Sequence, residues 1–569
     1  MLVAVAWPYA NGEPHLGHVA GSFLPADIFA RYHRQAGNRV LMVSGSDMHG
    51  TPTALTAQAE GVDPAVIATR YHEQFVEMLD RFGFSFDLYT HTDTANHAQI
   101  AQGIFSDLLK NGFLYESTES MPYCLEEQRF LSDRLVAGTC PICKFDKAGG
   151  DQCDNCGNTL DAADLIGIRC VTDGSTPEFR DTNHYLFKLS AFSERLQEWI
   201  SAQEHFRPQV RNMSLGMLRE GLPDRAMTRD IEWGVSVPDE VEGYEHKRIY
   251  VWFEAVIGYL SASIEWAESS GDPDAWQAWW KDPSARSYYF QGKDNIPFHT
   301  IIWPAMIMGL GDERSLNLPY DITANEYLNY EGGAFSKSRQ WGVTAADALD
   351  RYEADALRYY LSATMPETSD SDFTWATFLS RNNDELVATL GNFVHRVLSM
   401  AARNFDGAVP PRNATDETDA AVLAACDTTM DKVGQQISDR RFREGLRLIM
   451  GLARDGNKYL DTKAPWKTVK TDMERTGTTL SIGIEISATL RTLIYAYMPT
   501  SAESLHKLLG AEGEVIDLGW TRPTPEAGRR LPVPRPLFKK LDDSMVAEEL
   551  ARHESPAPDQ QSVQTPAQA

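Results

Sequence analysis

Four cysteines within seventeen residues form the densest group of potential metal ligands in the chain. They make two Cys-x-x-Cys pairs separated by nine residues: Cys140, Cys143, Cys153 and Cys156. Two such pairs supply four thiolates to a tetrahedral Zn²⁺ ion and leave no coordination position open for catalysis. The alternative is a set of unpaired thiols. The other cysteines, at positions 124, 170 and 426, are scattered, so the spacing indicates a structural Zn²⁺ site and not a disulfide framework.

A second candidate for chemistry is His15-Leu16-Gly17-His18, which follows the first apolar run of the chain. If a strand leads into a helix here, both imidazoles lie on one face of the first helical turn. Nucleotide phosphates bind at this position in open α/β sheets, and imidazoles can donate hydrogen bonds to phosphate oxygens. Gly17 would let a ligand approach the backbone. Taken alone, the four residues are equally compatible with two surface histidines in a loop.

A third candidate is the loop Gly332-Gly333-Ala334-Phe335-Ser336-Lys337-Ser338-Arg339. The glycines would make it mobile, and a lysine between two serines could clamp a leaving pyrophosphate. By itself, this segment is more typical of a flexible polar linker.

Alternating strand and helix patterns predict the elements that position these residues. Apolar runs at residues 2–7, 39–44 and 86–90 indicate buried strands, and helical spacing covers residues 16–35 and two segments beginning near Pro52 and Pro64. Strand, helix and strand in this order predict a parallel sheet. The pattern resumes at residues 248–253 and 287–290, after a less regular zone at about 114–231 that holds the cysteines. We therefore expect a doubly wound α/β domain with a zinc-knuckle insertion.

Amphipathic helices dominate from about Ala345 onward. The predicted helices cover residues 384–402, 418–438, 442–459 and 480–497, which indicates an all-α bundle. The segment from about His553 to the end is rich in Pro, Gln, Ser and Ala, which is typical of a disordered tail.

Composition and charge are those of a globular protein that is acidic overall. Hydrophobic residues make up 43% and charged residues 23%, and the net charge of −27 argues at first against a nucleic-acid partner. Residues 440–470, however, contain nine Lys or Arg and three Asp or Glu, a local charge of +6. Composition alone favours a solvated helix face there. The short apolar start lacks a signal-peptide pattern, and residues 301–310 are too few to span a bilayer, so we expect a cytoplasmic protein.

The histidine motif and the Ser-Lys-Ser loop, in this order and about three hundred residues apart, resemble the two signatures of class I aminoacyl-tRNA synthetases. Within the class, the chain is similar to the methionyl-tRNA synthetases over nearly its whole length, to about residue 510. Further matching stretches are Pro8-Tyr9-Ala10-Asn11-Gly12, Ser46-Asp47-Met48-His49-Gly50-Thr51-Pro52, Thr228-Arg229-Asp230, Tyr250-Val251-Trp252-Phe253-Glu254-Ala255, Gly292-Lys293-Asp294, Phe298-His299, Trp303-Pro304-Ala305 and Ala464-Pro465-Trp466.

The resemblance implies a role for each matching residue. The methionine side chain would contact Tyr9, Trp252, Ala255, Tyr259, Phe298, His299 and Trp303, while Asp47 would bind the substrate ammonium group. ATP would contact His15, Gly17, His18, Gly292, Lys293, Asp294, Ser336, Lys337 and Ser338, with His15, His18 and Lys337 acting in catalysis. Aromatic contacts suit a polarizable thioether. Without the resemblance, the aromatic residues would be interpreted as ordinary core.

The resemblance also implies tRNA as a partner. Asn392, Arg396 and Trp466 match residues that read the CAU anticodon, and Trp466 lies inside the positive window at 440–470. This coincidence favours an RNA-binding interpretation of the window. The four-cysteine site would be structural and near the path of the tRNA acceptor end. The insertion of about a hundred residues is too short for a hydrolytic editing domain.

The implied reaction is methionine activation with Mg²⁺-bound ATP, followed by transfer to initiator and elongator tRNA(Met). The expected domains are a first half of the catalytic domain at 1–115, the insertion at 116–231, the second half at 232–330, a loop and stem-contact region at 331–383, an anticodon-binding domain at 384–520 and an extension with the tail at 521–569. No large dimerisation domain follows residue 520, so we expect a monomer.

Three residues depart from the family pattern: Ala334 replaces the usual first lysine of the loop, Gln340 replaces a glycine after it, and Val256 stands where some relatives have proline. These departures keep open a specialised paralogue, or another class I synthetase with an altered substrate. A zinc-knuckle RNA-binding protein without catalysis is a further alternative. It predicts tRNA binding without ATP consumption and leaves the pairing of His15 with Lys337 unexplained.

Overall fold

The computed structural model describes residues 1–131, 135–150, 153, 155–156, 160–311, 314–335 and 341–554. The chain divides into two compact units. The first comprises residues 1–14, 39–80 and 84–325, and the second comprises residues 15–38, 81–83 and 326–569.

A five-stranded parallel sheet forms the centre of the first unit. Its strands, numbered along the chain, are β1 (Leu2–Val5), β2 (Leu41–Ser46), β3 (Leu88–His91), β4 (Ser287–Gly292) and β5 (Asp321–Asn325). Their order across the sheet is β5-β4-β1-β2-β3, so the direction of winding reverses between β1 and β4. β1 and β2 are completely buried, which is typical of a parallel sheet covered on both faces. The predicted α/β class is confirmed, and the reversal marks the edge where such sheets bind ligands.

Helices and turns of the first unit connect and cover this sheet. The helices are Thr51–Glu60, Pro64–Phe82 (whose last two residues belong to the second unit), Ala95–Lys110, Ser193–Ala202, Pro208–Glu220, Val251–Ser269, Gln277–Trp280 and Trp303–Leu310. Short 3-10 turns lie at Ala162–Asp164, Leu189–Phe192 and Lys293–Asn295, and a π-helical turn lies at Phe298–Ile302. Helix Val251–Ser269 packs against β2 and β3.

The prediction of a strand at residues 248–253 was wrong beyond its first two residues. Arg248–Ile249 pairs antiparallel with Thr228–Arg229, and helix Val251–Ser269 begins directly afterwards. A short run of aromatic and β-branched residues does not distinguish a strand from the start of a buried helix. Val251, Trp252 and Phe253 therefore lie in the first turn of a helix and not in a strand.

The insertion is more regular than its sequence indicates. Strand Leu114–Cys124 pairs antiparallel with Glu178–Phe187 along nearly its whole length, in a sheet completed by Arg129–Phe130 and Arg225–Ala226. A smaller sheet joins Ala148–Gly149, Val136–Thr139 and Ile166–Cys170. Cys124 and Cys170 are the last residues of their strands, and Cys140 directly follows strand Val136–Thr139.

The second unit is mainly helical, as predicted. Its helices are Leu16–His18, Leu24–Gln35, Ala345–Arg351, Ala354–Ala363, Trp375–Ser380, Asn392–Asn404, Glu417–Ser438, Phe442–Lys463, Pro465–Thr468, Met473–Ile494, Pro499–Leu508 and Met545–Glu554. π-Helical segments lie at Val19–Phe23 and Arg381–Gly391, and a 3-10 turn lies at Val515–Leu518. A small sheet joins Gly333–Ala334, Leu328–Tyr330 and Ser371–Phe373.

Helix Met473–Ile494 is buried from Thr476 to its end. Four helices pack around it: Asn392–Asn404, Glu417–Ser438, Phe442–Lys463 and Pro499–Leu508. Gly456 permits one close approach, because a Cβ at this position would lie 2.7 Å from the ring of Phe393. The predicted helix at 384–402 is a wide π-helical segment followed by helix Asn392–Asn404. The last helix includes His553 and Glu554, two residues of the predicted tail, and the rest of that tail lies outside the described residues.

Among the described residues, no helix has both the length and the apolar character needed to cross a membrane.

Candidate active site

The chain segments that follow β1 and β2 run side by side and bring Tyr9 next to Asp47. The N–H of Asp47 donates to the carbonyl of Pro8 at 2.8 Å, and the N–H of Ala10 donates to the carbonyl of Asp47 at 2.8 Å. These bonds extend the parallel pairing of the two strands beyond the sheet. Tyr9 and Asp47 therefore lie together at the carboxyl edge, where open α/β sheets bind their ligands.

Three aromatic residues from separate segments meet beside this edge. The indole N–H of Trp252 donates to the hydroxyl of Tyr9 at 2.5 Å, and the ring of Trp252 lies 5.0 Å from that of Phe298 at an interplanar angle of 68°. Ala255 lies one helical turn after Trp252 in helix Val251–Ser269, and both residues are only partly buried. These positions present an accessible aromatic surface and not a closed core.

Tyr259 and His299 extend the group through a hydrogen bond of 2.7 Å between the hydroxyl oxygen and Nε2. Nδ1 of His299 lies 2.8 Å from the carbonyl oxygen of Asn295, so Nδ1 carries the proton and Nε2 accepts from Tyr259. Burial lowers the pKa of His299 to about 4, which keeps the ring neutral at physiological pH. The side chain thus contributes a neutral, oriented surface to the site.

Trp303 completes the predicted set from a fully buried position. Its indole N–H donates to the hydroxyl of Tyr289 at 3.1 Å, and the ring of Tyr289 contacts that of Tyr259 edge-on at 5.1 Å. We call Tyr9, Trp252, Ala255, Tyr259, Phe298, His299 and Trp303 the aromatic pocket.

Asp47 is a buried carboxylate, only 3% exposed, and its Oδ1 has no hydrogen-bond partner among the described residues. Burial and the neighbouring carboxylate of Glu254 raise the pKa of Asp47 well above its ordinary value. A buried acceptor without a partner is costly for a folded protein. Such an oxygen is well suited to a ligand that brings its own positive charge and hydrogen-bond donors.

His49 and Glu254 form a buried ion pair next to Asp47. Nδ1 of His49 lies 2.7 Å from Oε1 of Glu254, and Nε2 of His49 lies 3.7 Å from the carboxylate of Asp93. Burial by itself would lower the pKa of His49, but the Glu254 and Asp93 carboxylates raise it to about 10. His49 is therefore a cation that pairs with Glu254 and opposes the rise in the pKa of Asp47.

The candidate ATP residues of the first unit lie where β4 ends. Gly292 closes the strand, and Lys293 and Asp294 begin the 3-10 turn Lys293–Asn295. The third residue of this turn supplies the carbonyl that holds His299. A single turn therefore connects the candidate nucleotide-binding residues to the aromatic pocket.

His15, Gly17 and His18 belong to the second unit and form a compact N-terminal cap. The N–H of Gly17 donates to Nδ1 of His15, and the N–H of His15 donates to Nδ1 of His18, both at 3.1 Å. Because each Nδ1 accepts a hydrogen bond, each neutral ring carries its proton on Nε2. A Cβ at Gly17 would lie 2.8 Å from the ring of His15, so a larger residue would disrupt this cap.

Phe335 connects the histidine motif to the start of the Ser-Lys-Ser loop. Its ring stacks on that of His15, with the centroids 4.6 Å apart and an interplanar angle of 11°. Ser336, Lys337, Ser338 and Gln340 lie outside the described residues.

The four predicted zinc ligands converge at one place in the insertion. Their sulfur atoms all lie within 4.8 Å of one another, with 3.5 Å between Cys143 and Cys153 and 4.0 Å between Cys140 and Cys156. A tetrahedral Zn²⁺ with four thiolates needs sulfurs about 3.8 Å apart, given Zn–S bonds of about 2.3 Å. Cys140 and Cys153 are fully buried. This donor set and spacing fit a metal ion.

The three predicted anticodon residues lie on one surface of the helical bundle. Asn392 and Arg396 are four residues apart in helix Asn392–Asn404, so they share a face. The guanidinium of Arg396 lies 5.0 Å from the ring centroid of Trp466 and donates to Asp461 at 2.9 Å. Trp466 is 39% exposed, in a short helix that begins at Pro465. An exposed indole beside a guanidinium can stack on an unpaired base.

Family models match two parts of the chain. Residues 1–398 match the model described as tRNA synthetases class I (M), and residues 409–556 match the anticodon binding domain of methionyl tRNA ligase. The chain belongs to the methionyl-tRNA synthetase family. The resemblance inferred from the histidine motif and the Ser-Lys-Ser loop is therefore confirmed.

Relatives named methionine–tRNA ligase match this family member over almost their entire length. The protein of Thermomicrobium roseum is 49% identical over 97% of this chain and 98% of the relative, and that of Dehalococcoides mccartyi is 52% identical over 97% and 99%. A solved structure of Mycobacterium tuberculosis methionyl-tRNA synthetase in complex with methionyl-adenylate is 27% identical, with a TM-score of 0.78 over 94% of this chain and 99% of the other.

Sequence reasoning assigned no role to several residues that the structure places at the site of this methionyl-tRNA synthetase family member. His49 and Glu254 were quoted only as parts of matching stretches, and Tyr289 was read as part of a strand. Phe335 was noted only for its position in the loop. The one sequence signal that could have pointed to the ion pair is that Glu254 interrupts an otherwise apolar run at residues 251–260.

Proposed function

We propose that the chain joins methionine to tRNA(Met) in two steps. In the first step, the methionine carboxylate attacks the α-phosphorus of ATP, and pyrophosphate leaves. In the second step, the 2′-hydroxyl of the terminal tRNA adenosine attacks the carbonyl of methionyl-adenylate, and AMP leaves. No protein nucleophile is required, because positioning and electrostatic stabilisation account for catalysis.

The observation that carries this proposal is the buried Oδ1 of Asp47, which has no hydrogen-bond partner in the described part of the chain and lies at the edge that also presents the aromatic pocket. An α-amino acid with an apolar, polarizable side chain satisfies both features at once. Its ammonium group would donate to Asp47, and its thioether would contact the rings of Tyr9, Trp252 and Phe298. Tyr259, His299 and Trp303 would form the far wall of the pocket, with Ala255 leaving room for the side chain.

Three groups of residues are assigned to ATP. Nε2–H of His15 and of His18 would donate to the α-phosphate as negative charge develops on it, and Gly17 keeps the backbone open there. Gly292 and Asp294 would hold the ribose, with Lys293 near the phosphates. Ser336, Lys337 and Ser338 would bind the departing pyrophosphate. The family pattern has two lysines in this loop, and Ala334 replaces the first of them. Lys337 would therefore be the one lysine of the loop that stabilises the departing pyrophosphate.

Two metal ions belong to the proposal. Mg²⁺ would accompany ATP and neutralise its phosphates. Zn²⁺ would bind Cys140, Cys143, Cys153 and Cys156, one ion per chain, and stabilise the fold of the insertion without taking part in the chemistry.

The anticodon is assigned to Asn392, Arg396 and Trp466, through stacking and hydrogen bonds to unpaired bases. Initiator and elongator tRNA(Met) share the CAU anticodon, so both would be substrates. We assign catalysis to 1–115 and 232–330, the zinc knuckle to 116–231, stem contacts to 331–383, and anticodon binding to 384–520, with 521–569 as an extension. The protein would act as a monomer in the cytoplasm, where tRNA is charged.

The proposal is tested by amino-acid-dependent exchange of labelled pyrophosphate into ATP, with the purified, zinc-loaded chain. Methionine is expected to support exchange at least about a hundredfold better than leucine, isoleucine or valine, because only its side chain fits the aromatic pocket. Equal exchange with another amino acid would identify a synthetase of altered specificity. Tight tRNA binding without any exchange would identify a non-catalytic RNA-binding protein.

A further inference from the structure

In the described part of the chain, Arg491 is a buried guanidinium without a carboxylate partner. It lies in the last turn of helix Met473–Ile494 and is only 3% exposed. Its Nε and Nη2 have no hydrogen-bond partner among the described residues. Arg358, which is fully buried, instead donates to the carboxylate of Asp27 at 2.6 Å. Buried donors without partners are costly, so Arg491 resembles Asp47 with the opposite charge.

The hydrogen bond that Arg491 does make goes to a neutral group. Its Nη1 donates to Nδ1 of His506 at 3.2 Å, and Nε2 of His506 donates to the carbonyl of Glu512 at 3.0 Å. His506 therefore carries its proton on Nε2 and supplies no negative charge. The end of the helix favours a cation at Arg491, but it leaves Nε and Nη2 without partners.

A second guanidinium lies close to the first. Burial and the nearby Arg529 together lower the pKa of Arg491 to about 10. Glu503 opposes this shift, but in the described part of the chain no hydrogen bond joins it to Arg491, and its carboxylate accepts the N–H of Val515 at 2.8 Å. Two cations therefore share this place with one carboxylate, which leaves an excess of positive charge.

Gly510 allows Arg529 to come this near. It has a φ of +65°, and a Cβ there would lie 2.1 Å from the carbonyl oxygen of Arg530 and 3.7 Å from Cγ of Arg529. A side chain at position 510 would therefore push these arginines away from the loop that follows helix Pro499–Leu508. Arg529 itself is exposed, so solvent reaches the group from its side.

We propose that Arg491 and Arg529 bind a small inorganic oxyanion, with orthophosphate as the probe. Nε–H and Nη2–H lie on one edge of the guanidinium plane, and this edge of Arg491 is the one without partners. Two parallel donors of this kind match two oxygens of a phosphate in a bidentate contact. Two guanidiniums also balance the charge of a dianion.

The burial of Arg491 decides the size of the ligand. Because Arg491 is almost fully enclosed and Arg529 is exposed, an ion of few atoms fits this place better than the phosphate of a nucleotide or of a tRNA. The ion would enter beside Arg529 and connect helix Met473–Ile494 to the chain segment at 528–531. This site is independent of the proposed aminoacylation, in which neither arginine takes part.

The test is equilibrium dialysis of labelled orthophosphate against the full-length protein, at an ionic strength held constant with NaCl. Saturating AMP fills the nucleotide site, and we expect one phosphate per chain to remain bound. Arg529→Gln should weaken this binding by about tenfold or more, because it removes charge-assisted hydrogen bonds. Arg530→Gln removes the same charge from the next residue, which pairs with Asp406, and should bind phosphate as the wild type does.

Thermal melting gives a second readout. Phosphate should raise the melting temperature of the wild type and of Arg530→Gln more than NaCl of equal ionic strength does, with little effect on Arg529→Gln. Arg491→Met should melt no lower than the wild type in phosphate-free buffer, because a buried charge without a counter-ion is gone, and phosphate should not stabilise it. The proposal is overturned if the wild type binds no phosphate, if AMP displaces the phosphate, or if Arg529→Gln and Arg530→Gln lose binding equally.

Discussion

Nδ1 of His49 lies 2.7 Å from Oε1 of Glu254, in a buried layer directly beside the carboxylate of Asp47. This pair connects a loop after β2 to the first turn of helix Val251–Ser269. The positive charge of His49 allows the carboxyl groups of Glu254 and Asp47 to be buried next to each other. The proposed binding of a substrate ammonium group to Asp47 depends on that balance, because an unbalanced buried pair of carboxylates would share a proton.

His49→Gln therefore tests whether the ion pair maintains the charge of Asp47. We expect the KM for methionine in pyrophosphate exchange to rise by about tenfold or more, because His49 opposes the raised pKa of Asp47 and its loss would raise that pKa further. The KM for ATP should stay within about twofold. His395→Gln, on an exposed position of helix Asn392–Asn404, is the matched control and should leave both values unchanged. Equal increases in both KM values would contradict a specific effect on Asp47.

Asp47→Asn removes the charge while keeping the shape of the side chain. The KM for methionine should rise about 10- to 100-fold, since a charge-assisted hydrogen bond contributes about 1.5–3 kcal/mol. Steady-state pyrophosphate exchange with methionine, and again with a methionine analogue that lacks the amino group, measures the effect. The analogue should bind the wild type and Asp47→Asn equally well. Tighter binding of the analogue to the wild type would argue against an ammonium contact.

Lys337→Ala should slow the formation of methionyl-adenylate by about a hundredfold or more, with little change in the binding of methionine. A cation that stabilises the departing pyrophosphate acts on the transition state and not on the bound amino acid. Single-turnover formation of the adenylate measures the rate, and equilibrium dialysis measures methionine binding. Lys432→Ala, on the exposed side of helix Glu417–Ser438, is the control. An unchanged rate would refute the role of Lys337.

Trp466→Ala should lower the kcat/KM for tRNA(Met) about 10- to 100-fold without affecting pyrophosphate exchange. Stacking of one base on an aromatic ring contributes about 1–3 kcal/mol, whereas the adenylate forms from methionine and ATP in a step that does not involve the anticodon. Met473→Ala removes another exposed apolar side chain of the same region and should behave like the wild type. A parallel loss of exchange activity would show that the change disturbs the fold.

His299 makes a pH-dependent contribution to stability. Its pKa is about 4 in the folded chain and about 6.5 when unfolded, so the unfolded chain binds the proton more readily. Stability from this group is present above about pH 6.5 and is lost as the pH falls toward 4, by at most about 3 kcal/mol. His299→Gln should therefore flatten the fall in melting temperature between pH 6.5 and 4.5. An unchanged slope in the variant would mean that His299 is already charged in the folded protein.

Periodicity and motif spacing predicted the parallel sheet, the C-terminal helices and the four-cysteine cluster, because each depends on residues close together in the chain. The segment at 248–253 was assigned to the wrong element, since its apolar run fits a strand and a buried helix equally well. The pairing of strand Leu114–Cys124 with Glu178–Phe187 spans more than fifty residues and leaves no local signal. The ion pair of His49 with Glu254 could not be predicted either, because the two residues are 205 positions apart in the chain.

The most direct test of the account is aminoacylation of purified elongator and initiator tRNA(Met) with labelled methionine by the zinc-loaded chain. The account predicts that both tRNAs accept methionine in an ATP-dependent reaction, and that changing the CAU anticodon abolishes most of the activity. Failure to charge either tRNA, with a folded protein that holds its metal, would contradict it.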